Sequence, residues 1–123
     1  MNRVSNHDVL RLAMFKCVKD LDHYECNEIL EVGMFKTNPI RGLYPVFIPS
    51  EDYITIALES DDRVWAKLTV PLKTGALFIT DLTFEISPAA VEPEEIMEHL
   101  LIAVVRTIRT FRIKRGSMPT NAL

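Results

Sequence analysis

Apolar residues recur with a helical period at the start of the chain. Ser5 is placed to cap this first predicted helix, because a serine hydroxyl can accept a hydrogen bond from an N–H of the first turn. The period fades near Asp22–His23, where we expect the helix to end. The apolar positions form one broad stripe and predict a buried face. They are Val9, Leu10, Ala13, Met14, Cys17, Val18 and Leu21.

From Tyr24 to Lys36 the pattern changes to alternation. Alternating apolar and polar positions are typical of a half-buried strand, so we predict a strand here, with a bulge or turn at Asn27–Glu28. The residues of the apolar parity are Tyr24, Cys26, Leu30, Val32 and Met34.

Residues 37–52 are the least regular part of the chain, with three prolines and a glycine. They form either an edge strand interrupted by Pro45 or a loop laid over the core. Irregular segments often carry binding residues, and this one offers Tyr44 and Phe47 as candidate contacts.

Three further strands are predicted, at Tyr53–Glu59, Val64–Leu72 and Ala76–Ile86. Their short connections require antiparallel neighbours, since parallel pairing needs a long crossover. In this pattern Trp65 and Ile79 face away from the core. Such apolar residues on the second sheet face need a cover from this chain or a partner.

A last helix begins at Pro93 and is stopped by Gly116. The tail 117–123 has little to bury, and we expect it to be mobile. The chain of 123 residues is therefore predicted to be a single α+β domain. Its antiparallel meander of about four strands carries the N-terminal and C-terminal helices on one face.

The net charge of −3 hides an asymmetry, because every acidic residue lies at or before Glu98. A basic cluster follows on the last helix. It could meet phosphates or an acidic partner, or it could simply place cations at a helix end, where the helix dipole favours them. The cluster consists of Arg106, Arg109, Arg112, Lys114 and Arg115.

The candidate reactive groups are few. Cys17, His23 and Cys26 have no spacing typical of a zinc site, so packing is the simpler interpretation of the cysteines. His99 is expected on the polar side of the last helix, beside Glu95, where a surface contact is more common than catalysis. No nucleophile or phosphate-binding motif occurs, and we expect neither an enzyme nor a bound metal or cofactor.

The chain has no apolar run long enough for a membrane span, and its first residues lack the apolar core of a signal peptide. We therefore expect a cytoplasmic protein that does not insert into a membrane.

Residues 82–108, LTFEISPAAVEPEEIMEHLLIAVVRTI, resemble a segment of the class I type III secretion chaperones and of the YbjN-like proteins. The resemblance implies a last strand leading into a helix that begins with Pro-Glu. It also implies a small, non-enzymatic, often dimeric cytoplasmic protein that holds an extended partner segment, partly by strand addition. One departure is that these families place a second helix before the last strands, and Val70–Ala76 leaves no room for it.

The leading hypothesis is a non-catalytic protein-binding module, such as a chaperone, adaptor or protein inhibitor, that forms a homodimer. Its predicted contacts are Tyr44, Phe47, Trp65, Ile79 and the basic cluster. The alternative is a nucleic-acid-associated regulator that uses the basic cluster alone.

Overall fold

The chain forms three α-helices and five strands within the residues that the structure, a computed structural model, describes: 6–21, 26–73 and 75–116. The helices are α1 (Asn6–Val18), α2 (Cys26–Val32) and α3 (Pro93–Gly116). The strands are β1 (Phe35–Lys36), β2 (Tyr44–Pro49), β3 (Tyr53–Ser60), β4 (Arg63–Pro71) and β5 (Thr83–Ile86).

The five strands form one antiparallel sheet in the order of the sequence, β1-β2-β3-β4-β5. Short connections pair each strand with the next, as predicted. The α+β class and the antiparallel meander are therefore confirmed, with five strands rather than about four. Facing residues in the register form a row across the sheet toward the core: Phe35, Phe47, Ile56, Leu68 and Phe84.

Helix α3 covers the core face of the sheet. The Phe47 ring stacks between Phe35 at 4.9 Å and Phe111 of α3 at 5.4 Å, measured between ring centroids. Helix α1 packs beside α3, and the guanidinium of Arg11 lies 4.9 Å from the ring centroid of Phe84. Because Phe84 belongs to the same row as Phe47, both terminal helices lie on one face of the sheet, as expected.

The predicted strand at Tyr24–Lys36 is wrong over most of its length, because α2 occupies this segment and only Phe35–Lys36 pairs in the sheet. Ile29 fell on the polar parity of the strand pattern, yet it is fully buried, whereas Leu30 is exposed. Ile29 and Val32 are three residues apart and face the core together from a helix. Gly33 then ends α2 with a positive φ of 73°, which is the backbone conformation that favours glycine.

Residues 37–52 contain a strand, since β2 is paired with β3 along its full length. The expected edge position and the interruption at Pro45 are wrong, because β1 pairs on the other side of β2 and Pro45 lies within the paired strand. The direction of its backbone groups explains why a proline is tolerated inside β2. The Pro45 carbonyl accepts a hydrogen bond from the Thr37 N–H at 3.0 Å. The backbone polar groups of Pro45 thus face the side of β1, where the pairing of that strand ends after Lys36. The missing N–H of proline therefore costs no bond to β3.

The predicted strand Ala76–Ile86 is only half correct. Residues Ile79–Asp81 form a turn of 3₁₀ helix, and pairing begins at Thr83. The Asp81 carboxylate stabilises this turn, since it accepts hydrogen bonds from the Phe78 N–H at 2.7 Å and from Lys73 Nζ at 2.9 Å.

Helix α1 ends at Val18, earlier than predicted, and Val9 of the predicted buried stripe is 52% exposed. Met14, Val18 and Leu21 are buried as predicted. The Ser5 cap, the predicted helix end at Asp22–His23 and the tail 117–123 lie outside the described residues.

Candidate functional site

Helix α3 carries a second ordered face, directed away from the sheet. We call it the outer stripe and define it by Glu98, Ile102, Val105, Arg109 and Arg112, all of which are exposed. Their alternating spacing of four and three residues keeps them along one side of a helix. Ile102 and Val105 are 44% and 36% exposed, so two aliphatic side chains face solvent at the centre of this side.

The outer stripe changes character along the helix. Its first member, Glu98, is acidic, its centre is aliphatic, and Arg109 and Arg112 at its far end are basic. This order suits the helix dipole, which favours anions near the N-terminus and cations near the C-terminus. It also leaves one face of α3 with an apolar centre between two opposite charges.

A groove of about 420 Å³ lies where the C-terminal half of the outer stripe meets α1. Its walls combine aliphatic side chains, two guanidinium groups and one thiol. The lining residues are Cys17, Val105, Ile108, Arg109, Arg112 and Ile113.

Cys17 is a free thiol in the wall of this groove. Burial raises the pKa of the Cys17 thiol, and the Arg112 guanidinium opposes part of that rise. The protonated thiol is therefore the form at neutral pH, and it contributes an apolar surface to the groove.

Helix α1 adds exposed apolar side chains of its own. Val9 and Leu12 are exposed, although the opposite side of the helix is buried through Met14 and Val18. Together with Ile113 at the end of α3, they make the helical side of the molecule rich in exposed aliphatic groups.

The predicted basic cluster is divided between different sides of α3. Arg106 donates from Nη1 to the Asn38 carbonyl at 2.6 Å, and this contact ties α3 to the segment before β2. Lys114 Nζ lies 5.4 Å from the ring centroid of Phe35. The side chain of Arg115 lies outside the described residues. Arg109 and Arg112 are the members of the basic cluster that belong to the outer stripe.

Two of the predicted contact residues, Phe47 of the irregular segment and Ile79 of the second sheet face, do not lie where they were expected. Phe47 is fully buried and offers no surface to a partner in this fold. Ile79 lies in the 3₁₀ turn rather than on a strand, so it does not share a sheet face with Trp65. Tyr44 is 45% exposed, and Trp65 is half-buried with the Arg63 guanidinium 5.2 Å from its ring centroid.

The outward face of the sheet is mixed, because the almost fully buried Val46 and Ala57 lie on it beside polar residues. Thr55, Thr69 and Thr83 form a row across β3, β4 and β5. Beside this row, Lys67 and Glu85 pair with an N–O distance of 3.6 Å. The threonines and paired charges are well suited to water, whereas Val46 and Ala57 are already buried within the chain.

A second groove, of about 320 Å³, lies near the start of α3. Glu95 approaches Arg41 at 3.6 Å and His99 Nε2 at 3.9 Å in this groove, and Trp65 forms part of its wall. His99 is buried rather than on the polar side of the helix, which corrects the sequence-based placement. The distance from His99 to Glu95 exceeds a hydrogen bond, so the pair lacks the geometry of an acid–base dyad.

The described residues form neither a metal site nor a membrane-spanning helix. Among the described residues, no group of three or more histidine, cysteine, aspartate or glutamate side chains could hold a metal ion. Across residues 6–21, 26–73 and 75–116, no helix combines the length and apolar character needed to cross a bilayer.

The sequence-based prediction missed the aliphatic and acidic members of the outer stripe. It gave Ile102, Val105 and Glu98 no binding role. The signal was present as a seven-residue repeat running from Glu95 and Glu98 to Arg109 and Arg112.

Comparisons with protein-family models, with curated proteins and with solved structures found no match. The resemblance of residues 82–108 to secretion chaperones and YbjN-like proteins therefore stays a prediction.

Proposed function

We propose that this chain is a non-catalytic protein-binding module whose contact surface is the helical side of the molecule. The observation that carries the proposal is the outer stripe, which exposes Ile102 and Val105 between an acidic end and a basic end. A chaperone, an adaptor and a protein inhibitor are all versions of this function. We also propose a cytoplasmic location, because the free Cys17 thiol suits a reducing compartment.

The physical support lies in the cost of exposed aliphatic groups. Helix α3 already buries one full face against the sheet, and a second apolar strip on its solvent side contributes nothing to that core. Burying apolar surface against a partner would stabilise the complex by about 25 cal/mol for each Å² removed from water. Arginines beside such a strip can donate several directed hydrogen bonds, which is why arginine is frequent at interface hot spots.

The nucleic-acid alternative is less well supported. Phosphate binding needs several cations on one surface, and the bonds of Arg106 and Lys114 direct them to other parts of the molecule. Arg109 and Arg112 remain, but they adjoin aliphatic residues on a stripe whose other end is acidic.

Site-specific photo-crosslinking in the native cell tests the proposed surface. A benzophenone amino acid replaces Ile102 on the outer stripe, and in a matched variant it replaces Tyr53 on β3, which has a similar exposed fraction. We expect adducts to a protein from position 102 and none from position 53, with mass spectrometry to identify the captured chain.

Two results would overturn the proposal. Adducts from position 53 alone would place the contact surface on the sheet instead of the helices. Irradiation that yields no protein adduct at either position would remove protein binding by these surfaces altogether.

A further inference from the structure

We propose that the outer stripe binds a second copy of this chain, with the two α3 helices packed antiparallel about a two-fold axis. The inference rests on the proposed function and names the partner of that same surface. Three features support this pairing: the spacing of the outer stripe, the order of its charges, and the lack of ion-pair partners for Glu98 and Arg109 among the described residues.

The spacing of the outer stripe is that of a helix–helix seam. Glu98, Val105 and Arg112 are seven residues apart, and Glu95, Ile102 and Arg109 repeat the same interval three residues earlier. A seven-residue repeat of this kind keeps two rows of side chains facing a partner helix along several turns. Helix α3 is 24 residues long and offers the whole repeat on one element.

Antiparallel pairing puts complementary groups opposite each other. With the two-fold axis between Ala103 and Val104, Ile102 lies opposite the partner's Val105, and Glu98 lies opposite the partner's Arg109. Each contact occurs twice, because a two-fold interface uses the same patch on both copies. The aliphatic pairs form the centre of the interface, and the ion pairs flank them.

The opposite charges at the two ends of the outer stripe have no ion-pair partners among the described residues. Glu98 and Arg109 form no ion pair with any residue of the described segments. They are eleven residues apart on one helix, which separates them by about 16 Å along its axis. A second copy in the antiparallel orientation supplies the opposite charge to both.

The parallel orientation is disfavoured by the same charges. It would place Glu98 beside the partner's Glu98 and Arg109 beside the partner's Arg109, and like charges in contact at an interface are costly. The order of acidic, aliphatic and basic groups along the stripe thus selects the antiparallel arrangement.

Sedimentation of the purified full-length chain, over concentrations up to millimolar, tests this dimer. We expect a mass that rises with concentration from 14.1 kDa to twice that value. Glu98→Arg and Arg109→Glu should each weaken the association at least about tenfold, because each places like charges in contact. The double variant Glu98→Arg/Arg109→Glu should recover most of the wild-type association, since it restores the pair with its charges exchanged.

Matched controls separate the interface from general charge effects. Glu31→Arg on α2 and Lys19→Glu after α1 reverse exposed charges outside the outer stripe and should leave the association unchanged. Circular dichroism of every variant checks that α3 still folds. The milder Glu98→Gln and Arg109→Gln should each weaken the association without introducing a repulsive contact.

The outcomes distinguish this inference from the proposed function. A monomer at every concentration, with adducts from position 102 to a different protein, would overturn the dimer and leave the protein-binding surface in place. A dimer that tolerates both single reversals, or that the double variant fails to restore, would overturn the antiparallel pairing of α3. Absence of both a dimer and any adduct would overturn both proposals.

Discussion

Two opposing influences act on the pKa of the Cys17 thiol. Burial disfavours the thiolate, whereas the positive charge of Arg112 favours it, and the net result is a raised pKa of the thiol. Because the thiolate is the reactive form, Cys17 should react slowly with alkylating reagents at neutral pH. Its reactivity therefore measures both the closure of the groove and the presence of the neighbouring guanidinium.

The first prediction concerns the pH dependence of this thiol. In a Cys26→Ser background, at concentrations where the chain is monomeric, the alkylation rate should rise with an apparent pKa above the ordinary value of about 8.5. Arg112→Gln should raise that pKa further, because it removes the charge that stabilises the thiolate. Arg106→Gln is the control, since the Arg106 guanidinium is bound to the Asn38 carbonyl. A lower pKa in the Arg112 variant would contradict this account.

The residue type of Phe47 does not decide whether its ring contacts a partner or packs in the core. An aromatic residue in a proline-rich segment is equally compatible with a binding loop and with a core strand. The outcome depends on Phe35 and Phe111, which stack on either side of Phe47 from β1 and α3. Those partners are 12 and 64 residues away in the sequence, so no local pattern could place this ring.

At the level of the elements, the β3–β4 hairpin is the most strictly defined connection. Asp61 and Asp62 both have positive φ, at 50° and 62°, between the paired residues Ser60 and Arg63. Two successive residues in this conformation form the type I′ turn that matches the twist of a hairpin. Aspartate tolerates the conformation less well than glycine does.

The second prediction follows from this turn. Asp62→Gly should raise the free energy of unfolding by about 0.5 kcal/mol, because relief of the left-handed strain exceeds the added entropy of the unfolded chain. Asp52→Gly in the β2–β3 connection is the matched control. Asp52 has no positive φ, so the same replacement should destabilise. Urea unfolding followed by circular dichroism measures both, and destabilisation by both variants would contradict the role of the turn.

The elements differ in how well the sequence predicts them. Strand β4 alternates between buried and partly exposed residues over most of its length, as the sequence predicts for a strand with one side on the core. In β3 the alternation is broken, because Ile56, Ala57 and Leu58 are all buried. Helix α2 is only seven residues long, and over so short a span helical and alternating patterns are hard to separate. Residues 76–82 have a strand-like composition, but the bonds of Asp81 hold part of them as a turn.

Considered as a whole, the molecule has two unlike sides. The outward side of the sheet carries threonines and paired charges, whereas the helical side carries exposed aliphatic groups and ordered charges. The fold class was predictable because one apolar face per element requires a layered arrangement. The proposed contact surface was not, because the sequence pattern of α3 contains two faces and only the packed structure separates the core face from the outer one.

The third prediction applies to the whole molecule. If α3 pairs with a second copy, dimerisation stabilises the folded state, and the thermal midpoint should rise with protein concentration. High salt should reduce this dependence by screening the exposed ion pairs. Differential scanning calorimetry across a concentration series measures the effect. The Glu98→Arg variant should show a midpoint that does not change with concentration, and the same slope in variant and wild type would contradict the prediction.

The order of the elements along the chain has a consequence for biosynthesis. All five strands precede α3, which is the helix that packs against β2, β3, β4 and β5. A ribosome therefore completes the meander while Ile54, Ile56 and Leu68 still lack their cover. The nascent sheet exposes a broad oily surface until the final helix leaves the exit tunnel, and slow translation of its codons would prolong the interval in which aggregation competes with folding.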